Sequence, residues 1–451
     1  MKNLLVVFFT ILALSLQAQT GHVLQGSGAV NFSMGGAATA MPVDVLGALQ
    51  WNPASITAFD RSEVGLSVAY FTAAPSVYAK VNSDDGQGGV MTIEGTTEDE
   101  MGASPLPSLG AVFKKPDSRW AFGVSAFGIS GFGVDYPATT NLPGSPNFDP
   151  GNSNPLLYPQ NMFGFGHLNS EYQLMQLGLT AAYKVADGLS VGLAPTFNYS
   201  SLLIQPVPIA PPSESGYSIG ERASALGYGF QAGVFYQTEM GLNIGVSYKS
   251  PQWFQDLEID GQYLDGSIAP VANFNLDYPA IISAGVGYTT ELFDVALDYR
   301  FINYENTDGF AESGWVIAEN GYPNGAVAGF GWKNVNVVAA GVQLKMVDKV
   351  PIRLGYTFSS NPITEDNVFF SAPAPAVIEH AVQIGFSYEI SDRFNVSLAY
   401  HRGLTTEVSG PLLSPMMIGA DNPLGAVPGS EMTSKMHTDV GLLGLAYRFG
   451  K

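Results

Sequence analysis

The sequence predicts an all-β protein: a 14-stranded antiparallel transmembrane β-barrel with an N-terminal hatch, or plug, inside its lumen. Charged residues make up only 13% of the 451 residues, and aromatic residues make up 12%, whereas soluble domains carry about 25% charged residues. After residue 61, side chains alternate with a period of two in about 14 runs. Such alternation is typical of outer-membrane barrels, whose strands face lipid on one side and the lumen on the other.

The first 18 residues have the parts of a secretory signal peptide. Lys2 gives the positive start, an apolar run covers residues 4–16, and Ala18 is the small residue before the expected cleavage site. No later stretch reaches the roughly 18 uninterrupted apolar residues that a spanning helix needs. We therefore expect an exported chain of three parts: a signal peptide at 1–18, a hatch at 19–60 and a barrel at 61–451.

The stretch after the signal peptide is rich in Gly and Ala, and it ends near Asn52-Pro53-Ala54. It does not alternate like a strand, and it is too weakly apolar to form a core of its own, so we expect it to lie inside the barrel. Pro53 fixes φ and lacks a donor, while Asn52 can bond the nearby backbone. These three residues are the candidate gate of the hatch. The alternative is a turn that only anchors the plug to the first strand.

The connections between the expected strands alternate in length, with short turns at 115–119, 185–188, 238–241, 290–291, 347–349 and 391–393. Short periplasmic turns and long outer loops are typical of outer-membrane barrels. An even strand count puts both chain ends at the short-turn side, which predicts a plug in the periplasmic half. The strands are expected to begin near Glu63, Leu106, Trp120, Tyr172, Leu189, Ala223, Leu242, Phe274, Leu292, Val335, Val350, Glu379, Phe394 and Thr438.

Composition argues against several classes of function. A net charge of -20 disfavours nucleic acid as a partner. The chain has no Cys and five His residues that are scattered along it, so neither a metal site nor a catalytic Ser–His–acid set is indicated. We therefore expect no enzyme and no cofactor. Energy-coupled receptors are also disfavoured, because they have a larger plug and about 22 strands.

Four stretches of the sequence resemble a known family. They are the plug with Asn52-Pro53-Ala54, the heptapeptide GVSYKSP from Gly245, the pair Pro279-Ala280 followed by GVGY, and IRLGY from Ile352. Together they resemble the FadL/TodX outer-membrane transporters for long-chain fatty acids and other hydrophobic compounds. The resemblance covers essentially the whole mature chain. It implies a 14-stranded barrel with a hatch, in the outer membrane of a Gram-negative bacterium.

The resemblance also implies passive uptake of a hydrophobic ligand, most of all a long-chain fatty acid. The ligand would bind among the outer loops, then inside the barrel, and leave sideways into the membrane. Outer-membrane lipid and lipopolysaccharide would surround the protein, which we expect to be a monomer. The alternative is a structural or adhesive barrel without transport. The plug favours transport, because an adhesin has no need of an internal gate.

Three cations are candidates for binding the headgroup of such a ligand. Alternation points Lys249, Arg300 and Arg353 into the lumen, where a carboxylate that leaves water needs a paired cation. The alternative for each is an internal ion pair with Asp298 or Glu389 that braces the barrel.

The third strand carries four glycines, Gly123, Gly128, Gly131 and Gly133. Glycine weakens a strand and often marks a bulge, so these residues predict a lateral opening in the wall. The alternative is that they make room for the plug.

The second long loop contains a group of apolar residues. Exposed apolar clusters usually mark interaction sites, so the group predicts a surface catchment for the ligand. The alternative is that these residues pack against neighbouring loops. The group consists of Leu156, Leu157, Tyr158, Met162, Phe163 and Phe165.

Overall fold

The computed structural model describes residues 21–84 and 88–450. The expected signal peptide and the first two residues of the expected hatch lie outside the described residues. Within them, 14 long antiparallel strands form a closed barrel. We number them β1 Ser62–Ala73, β2 Ser104–Lys114, β3 Trp120–Tyr136, β4 Leu168–Ala186, β5 Leu189–Gln205, β6 Ala223–Gln237, β7 Leu242–Lys249, β8 Ala280–Thr289, β9 Phe293–Asn303, β10 Val335–Leu344, β11 Ile352–Ser359, β12 His380–Ser391, β13 Phe394–Gly410 and β14 Glu431–Phe449.

Each strand pairs with its neighbours in the chain, and the barrel closes where β1 meets β14. That pairing runs from Ser62 opposite Phe449 to Ala73 opposite Thr438, while β2 pairs with the other edge of β1. Side chains alternate across the wall as predicted: on β8, Ile282 is 50% exposed on the outer face, and the next residue, Ser283, is 2% exposed. The predicted strand count and the alternation of short and long connections are therefore confirmed.

Two predicted strand boundaries are wrong, because other ladders use the residues in question. The sequence predicts an eighth strand from Phe274, but β8 begins six residues later at Ala280. Phe274 ends a short strand, Ala272–Phe274, that pairs with Leu257–Ile259 in an outer loop. The last strand, predicted from Thr438, begins at Glu431 because its first residues pair with a loop strand at Ser76–Asp84.

The remaining elements are short. The loop strands are Ser76–Asp84, Val90–Glu98, Ile219–Gly220, Trp253–Phe254, Leu257–Ile259, Gly261–Gln262, Ala272–Phe274, Trp315–Ile317 and Pro323–Val327. The helices are α1 Gly28–Ser33 and α2 Val45–Trp51, with 3-10 turns at Pro53–Ala58, Pro150–Asn152, Pro155–Leu157, Gln160–Met162, Tyr304–Asn306 and Pro415–Met417. Among the described residues, no helix has the length and apolar character to cross a membrane.

Residues 21–60, which we call the N-terminal segment, lie inside the lumen. Its backbone touches the inner face of the wall at strand glycines: a Cβ at Gly245 would lie 2.0 Å from the Thr39 carbonyl oxygen, and one at Gly341 would lie 2.4 Å from that of Met34. Only glycine permits this close approach. The N-terminal segment therefore lies so close to the wall that it can take this position only because several strands have small residues there.

The N-terminal segment spans more of the lumen than the sequence predicts. At the periplasmic end, the Thr57 hydroxyl lies 2.7 Å from the Ser190 hydroxyl at the start of β5. At the other end, the His22 ring lies 2.7 Å from the Tyr304 hydroxyl in a long outer loop. The plug is thus not confined to the periplasmic half, because its first residues run outward along β3.

Candidate functional site

Strand pairing between β2 and β3 ends in the outer half of the barrel, and we call this break in pairing the gap. The two strands pair as far as Ser108 opposite Phe127 and no further. β3 continues along β4 with a bulge between Gly128 and Ser130, so Ile129 has no partner in the register. β2 continues along β1 instead. The end of pairing between β2 and β3 therefore lies next to the bulge in β3.

Residues 22–24 lie along the free edge of β3 at this gap. The Leu24 amide donates a hydrogen bond to the Ile129 carbonyl at 3.1 Å, and the Gly131 amide donates to the His22 carbonyl at 3.3 Å. The Ser130 hydroxyl donates to the same His22 carbonyl at 3.1 Å. An unpaired backbone group at membrane depth costs several kcal/mol. The N-terminal segment thus supplies hydrogen-bond partners to the part of β3 that does not pair with β2.

An apolar cavity of about 90 Å³ lies at the gap. Its lining combines Phe71 of β1, Leu106 of β2, Gly131 and Gly133 of β3, and Leu24 of the N-terminal segment. The cavity thus connects the lumen side, where the N-terminal segment lies, with the break in strand pairing. Its lining is mostly apolar, so it suits a hydrocarbon better than an ion.

The four glycines of β3 do not share one role. Gly123 lies in the paired part of the strand opposite Val112, and a Cβ there would come within 2.5 Å of Leu49 in α2. It makes room for the plug, as the alternative interpretation predicts. Gly128, where the bulge begins, and Gly131 and Gly133, on the cavity, are the glycines at the gap.

The side chain of His22 is buried in a group of aromatic residues that we call the aromatic cage. Its ring stacks on Phe310 and meets the other rings edge-on or tilted. The His22 amide also donates to the Tyr304 hydroxyl at 3.2 Å. The six rings and their centroid distances from His22 are Phe310 at 4.5 Å, Tyr304 at 5.4 Å, Tyr278 at 5.8 Å, Trp332 at 5.8 Å, Tyr172 at 6.0 Å and Phe132 at 6.4 Å.

Sequence reasoning missed the aromatic cage, because its members come from β3, β4 and two outer loops. His22 and Tyr304 are 282 residues apart in the chain. The signal that could have indicated the cage is the density of aromatic residues between 301 and 332. Most of these residues lie in the loop between β9 and β10, outside the alternating runs. No local periodicity relates that loop to the first residues of the mature chain.

Arg300 is buried on the inner face of the wall, and both of its terminal guanidinium nitrogens bond neighbouring groups. The guanidinium carbon lies 3.5 Å from the centroid of the Trp51 ring, and one nitrogen lies 3.0 Å from the Asp298 carboxylate. Other contacts are hydrogen bonds to the backbone carbonyls of Gly36 and Gln25. Arg300 thus forms the internal ion pair with Asp298 that the alternative interpretation names.

Asp298 completes the connection between β9 and the N-terminal segment. Its carboxylate accepts hydrogen bonds from the Ala38 and Thr39 amides, both at 2.9 Å. The buried pair of Asp298 and Arg300 therefore holds the segment through its backbone and through the Trp51 ring.

Lys249 and Arg353 have different surroundings. Lys249, at the outer end of β7, is buried and donates to the Gln176 side-chain carbonyl at 3.2 Å. Within the described residues it has no carboxylate within ion-pair distance. Arg353 lies at the periplasmic end of β11, where it bonds Gln343 at 2.6 Å and Ser387 at 2.8 Å beside a polar cavity of about 270 Å³. The three predicted cations therefore do not form one cluster.

Asn52-Pro53-Ala54 forms the joint between α2 and the following 3-10 turn. The Asn52 amide group donates to the Thr39 carbonyl at 2.8 Å and to the Val234 carbonyl of β6 at 3.1 Å. Its side-chain oxygen accepts from the Ala54 amide at 3.0 Å, and Pro53 takes the first helical position, where its missing N–H costs nothing. These bonds tie the joint to β6, and not to the first strand that the anchoring alternative names.

The apolar residues of the second long loop are mostly inside it. Leu156, Leu157 and Tyr158 are buried, and the Tyr158 hydroxyl lies 2.6 Å from the Ser153 hydroxyl. Met162 and Phe165 are partly buried. Phe163, with 86% of its surface exposed, is the member that fits a surface catchment. For the buried three, the expectation of exposure is wrong, because their turn packs against the loop strands Ser76–Asp84 and Val90–Glu98.

A barrel of this kind defines a class: a membrane channel closed by its own N-terminal segment, with an apolar cavity at a break in its wall. Among the described residues, no three His, Cys, Asp or Glu side chains are placed to hold a metal ion. Residues 162–409 match the family described as outer membrane protein transport protein (OMPP1/FadL/TodX). The chain belongs to this family of outer-membrane transporters for hydrophobic compounds in Gram-negative bacteria, which are not enzymes.

Solved structures show the same fold. The chain is similar to the toluene transporter TodX of Pseudomonas putida, with a TM-score of 0.65 and 16% identity over 95% of this chain and 100% of that one. A FadL homologue of Pseudomonas aeruginosa gives 0.69 and 16% over 96% and 100%. The toluene transporter TbuX of Ralstonia pickettii gives 0.62 and 17% over 95% and 99%. No curated protein sequence matches the chain.

Proposed function

We propose that this protein takes up hydrophobic small molecules passively and releases them sideways through the gap between β2 and β3. The observation that carries the proposal is the end of strand pairing at Phe127, with an apolar cavity beside it. An apolar ligand gains by leaving through the wall, because it never re-enters water. Capture among the outer loops would precede entry into the lumen.

The proposed gate is the first part of the N-terminal segment, residues 21–26. The same residues fill the aromatic cage with His22 and cover the free edge of β3 through Leu24. Their displacement would therefore empty the cage and uncover the gap in one step. Residues 19–60 would act as the hatch, with Asn52-Pro53-Ala54 as the anchor about which it rearranges, since Asn52 is bonded to β6.

Long-chain fatty acids are the ligand class that we propose first. Lys249 supports this choice, because its buried amine bonds a neutral amide and a carboxylate headgroup would supply the missing counter-charge. Arg300 is less suited, since it already has Asp298. Small aromatic compounds are the second candidate, which the aromatic cage favours. Two structural relatives, TodX and TbuX, are toluene transporters.

Uptake by a deletion strain carrying variants of the gene tests the route. Gly128→Val places a side chain in the space between Leu106 and Met175, which lie 3.8 Å and 3.7 Å from a Cβ built there. It should fill the gap without disturbing the wall. Gly441→Val on β14 is the matched control, because a Cβ there meets no atom within 4 Å.

We expect Gly128→Val to lower the initial rate of labelled oleate uptake and Gly441→Val to leave it unchanged. Heat-modifiable gel mobility shows that both barrels are folded. Uptake of oleate at the wild-type rate through folded Gly128→Val protein would exclude this exit. If the intact gene restored uptake of no fatty acid, hydrocarbon or aromatic compound, transport itself would be refuted in favour of a structural or adhesive barrel.

A further inference from the structure

The aromatic cage is shaped for a small flat ring. The His22 imidazole stacks on Phe310 at 4.5 Å with 26° between the ring planes, and it meets Tyr278 and Trp332 edge-on at 5.8 Å. Offset-stacked and edge-to-face contacts are the two arrangements that aromatic rings prefer. A side chain of the protein thus occupies the place that a planar aromatic ligand would take.

The cage is not purely apolar. Among the described residues, neither His22 Nε2 nor the Tyr278 hydroxyl has a hydrogen-bond partner, and both side chains are buried. Burial raises the pKa of the Tyr278 hydroxyl, so it stays protonated and can donate. A pure hydrocarbon would leave the Tyr278 hydroxyl without a partner, which carries a free-energy cost.

We propose that the aromatic cage binds a small aromatic molecule carrying one neutral hydrogen-bonding group, such as a phenol, and that His22 holds the site until the ligand arrives. The inference rests on the proposed displacement of the N-terminal segment and names a ligand class for it. The ring of the ligand replaces the His22 ring, and its hydroxyl bonds the Tyr278 hydroxyl. A carboxylate is not favoured in this place, because the side chains stacked around His22 are uncharged and an anion needs a paired cation.

Binding of p-cresol and of toluene to the purified full-length protein in detergent tests the proposal. The two probes share the ring and the methyl group and differ in one hydroxyl. A hydrogen bond to that hydroxyl should make p-cresol bind about 3- to 10-fold more tightly than toluene. Calorimetric titration measures both affinities.

Three variants locate the effect. Tyr278→Phe keeps the ring and removes the hydroxyl, so it should reduce the preference for p-cresol while toluene affinity stays within about twofold. Tyr136→Phe, a buried tyrosine outside the cage, is the matched control and should keep the preference. His22→Ala vacates the cage, so both probes should bind more tightly. Heat-modifiable mobility confirms that each barrel is folded.

Equal affinity for the two probes in the wild type would overturn the proposal. So would a preference that survives in Tyr278→Phe, or affinities that His22→Ala leaves unchanged, because the ligand would then bind elsewhere. These results are independent of uptake measurements. Binding as expected with no uptake of any compound would refute transport and keep the site, whereas uptake without the p-cresol preference would refute the site and keep transport.

Discussion

Replacement of Arg300 with Met should release the N-terminal segment from β9 without unfolding the barrel. The guanidinium and the Asp298 carboxylate are both buried, at 3.0 Å from each other. Breaking a buried ion pair by removing one partner costs about 3–5 kcal/mol, because the remaining charge is uncompensated. This free-energy cost should destabilise the docked position of the N-terminal segment, because Arg300 also contacts Trp51 and the Gly36 carbonyl.

Amide hydrogen exchange measured by mass spectrometry can follow this release. If the cost of about 3–5 kcal/mol lowers the free energy of local opening, exchange in residues 25–52 should accelerate by roughly 10²–10³-fold or more. The Ala38 and Thr39 amides, which donate to Asp298, report it most directly. Peptides from β9 and β10 should keep their protection, because the ladder between these strands does not depend on the pair.

Two further variants make the measurement decisive. Lys345→Met removes a cation whose partner is Asp294 of β9, at 2.9 Å. This ion pair lies within the wall, so exchange in residues 25–52 should change little. Combining Arg300→Met with Asp298→Asn removes the uncompensated charge and should restore part of the protection. Equal exchange in Arg300→Met and the wild type would refute the role of this pair as the lock of the segment.

Three other predictions follow from single side chains. Asn52→Ala leaves the Thr39 and Val234 carbonyls without its amide donor, so uptake should fall while the amount of heat-modifiable barrel stays the same; normal uptake would exclude a role in gating. Lys249→Met should weaken binding of a long-chain acid more than that of the matching alcohol, and an equal loss would exclude a headgroup role. Burial raises the pKa of Asp99 from its ordinary 3.8 to about 6. The folded state therefore binds more protons between these pH values, and its stability falls as the pH rises through them. Melting curves of Asp99→Asn should lose this dependence of stability on pH, and an unchanged dependence would contradict the assignment.

Local pattern alone determined the architecture of this protein. A period of two specifies a strand with two environments, and the alternation of turns and long loops specifies antiparallel closure. These signals lie within about 20 neighbouring residues, so 14 strands could be counted and most of their starts located. The glycines of the third strand predict weakened pairing, but Gly123 lies in a paired part of the strand, so local pattern did not locate where pairing ends.

Tertiary structure decided what each of those residues contacts. The register shows that Gly123 faces Leu49 in the plug, while Gly128 lies at the gap. Among the described residues, Arg300 has the Asp298 carboxylate 3.0 Å away, whereas Lys249 bonds the neutral side chain of Gln176.

The aromatic cage was out of reach of sequence reasoning for the same reason. His22 and Tyr304 meet across 282 residues, and barrel closure, not any local pattern, brings their segments together. Periodicity reports which way a side chain points, but a pocket depends on which distant side chains point at the same place.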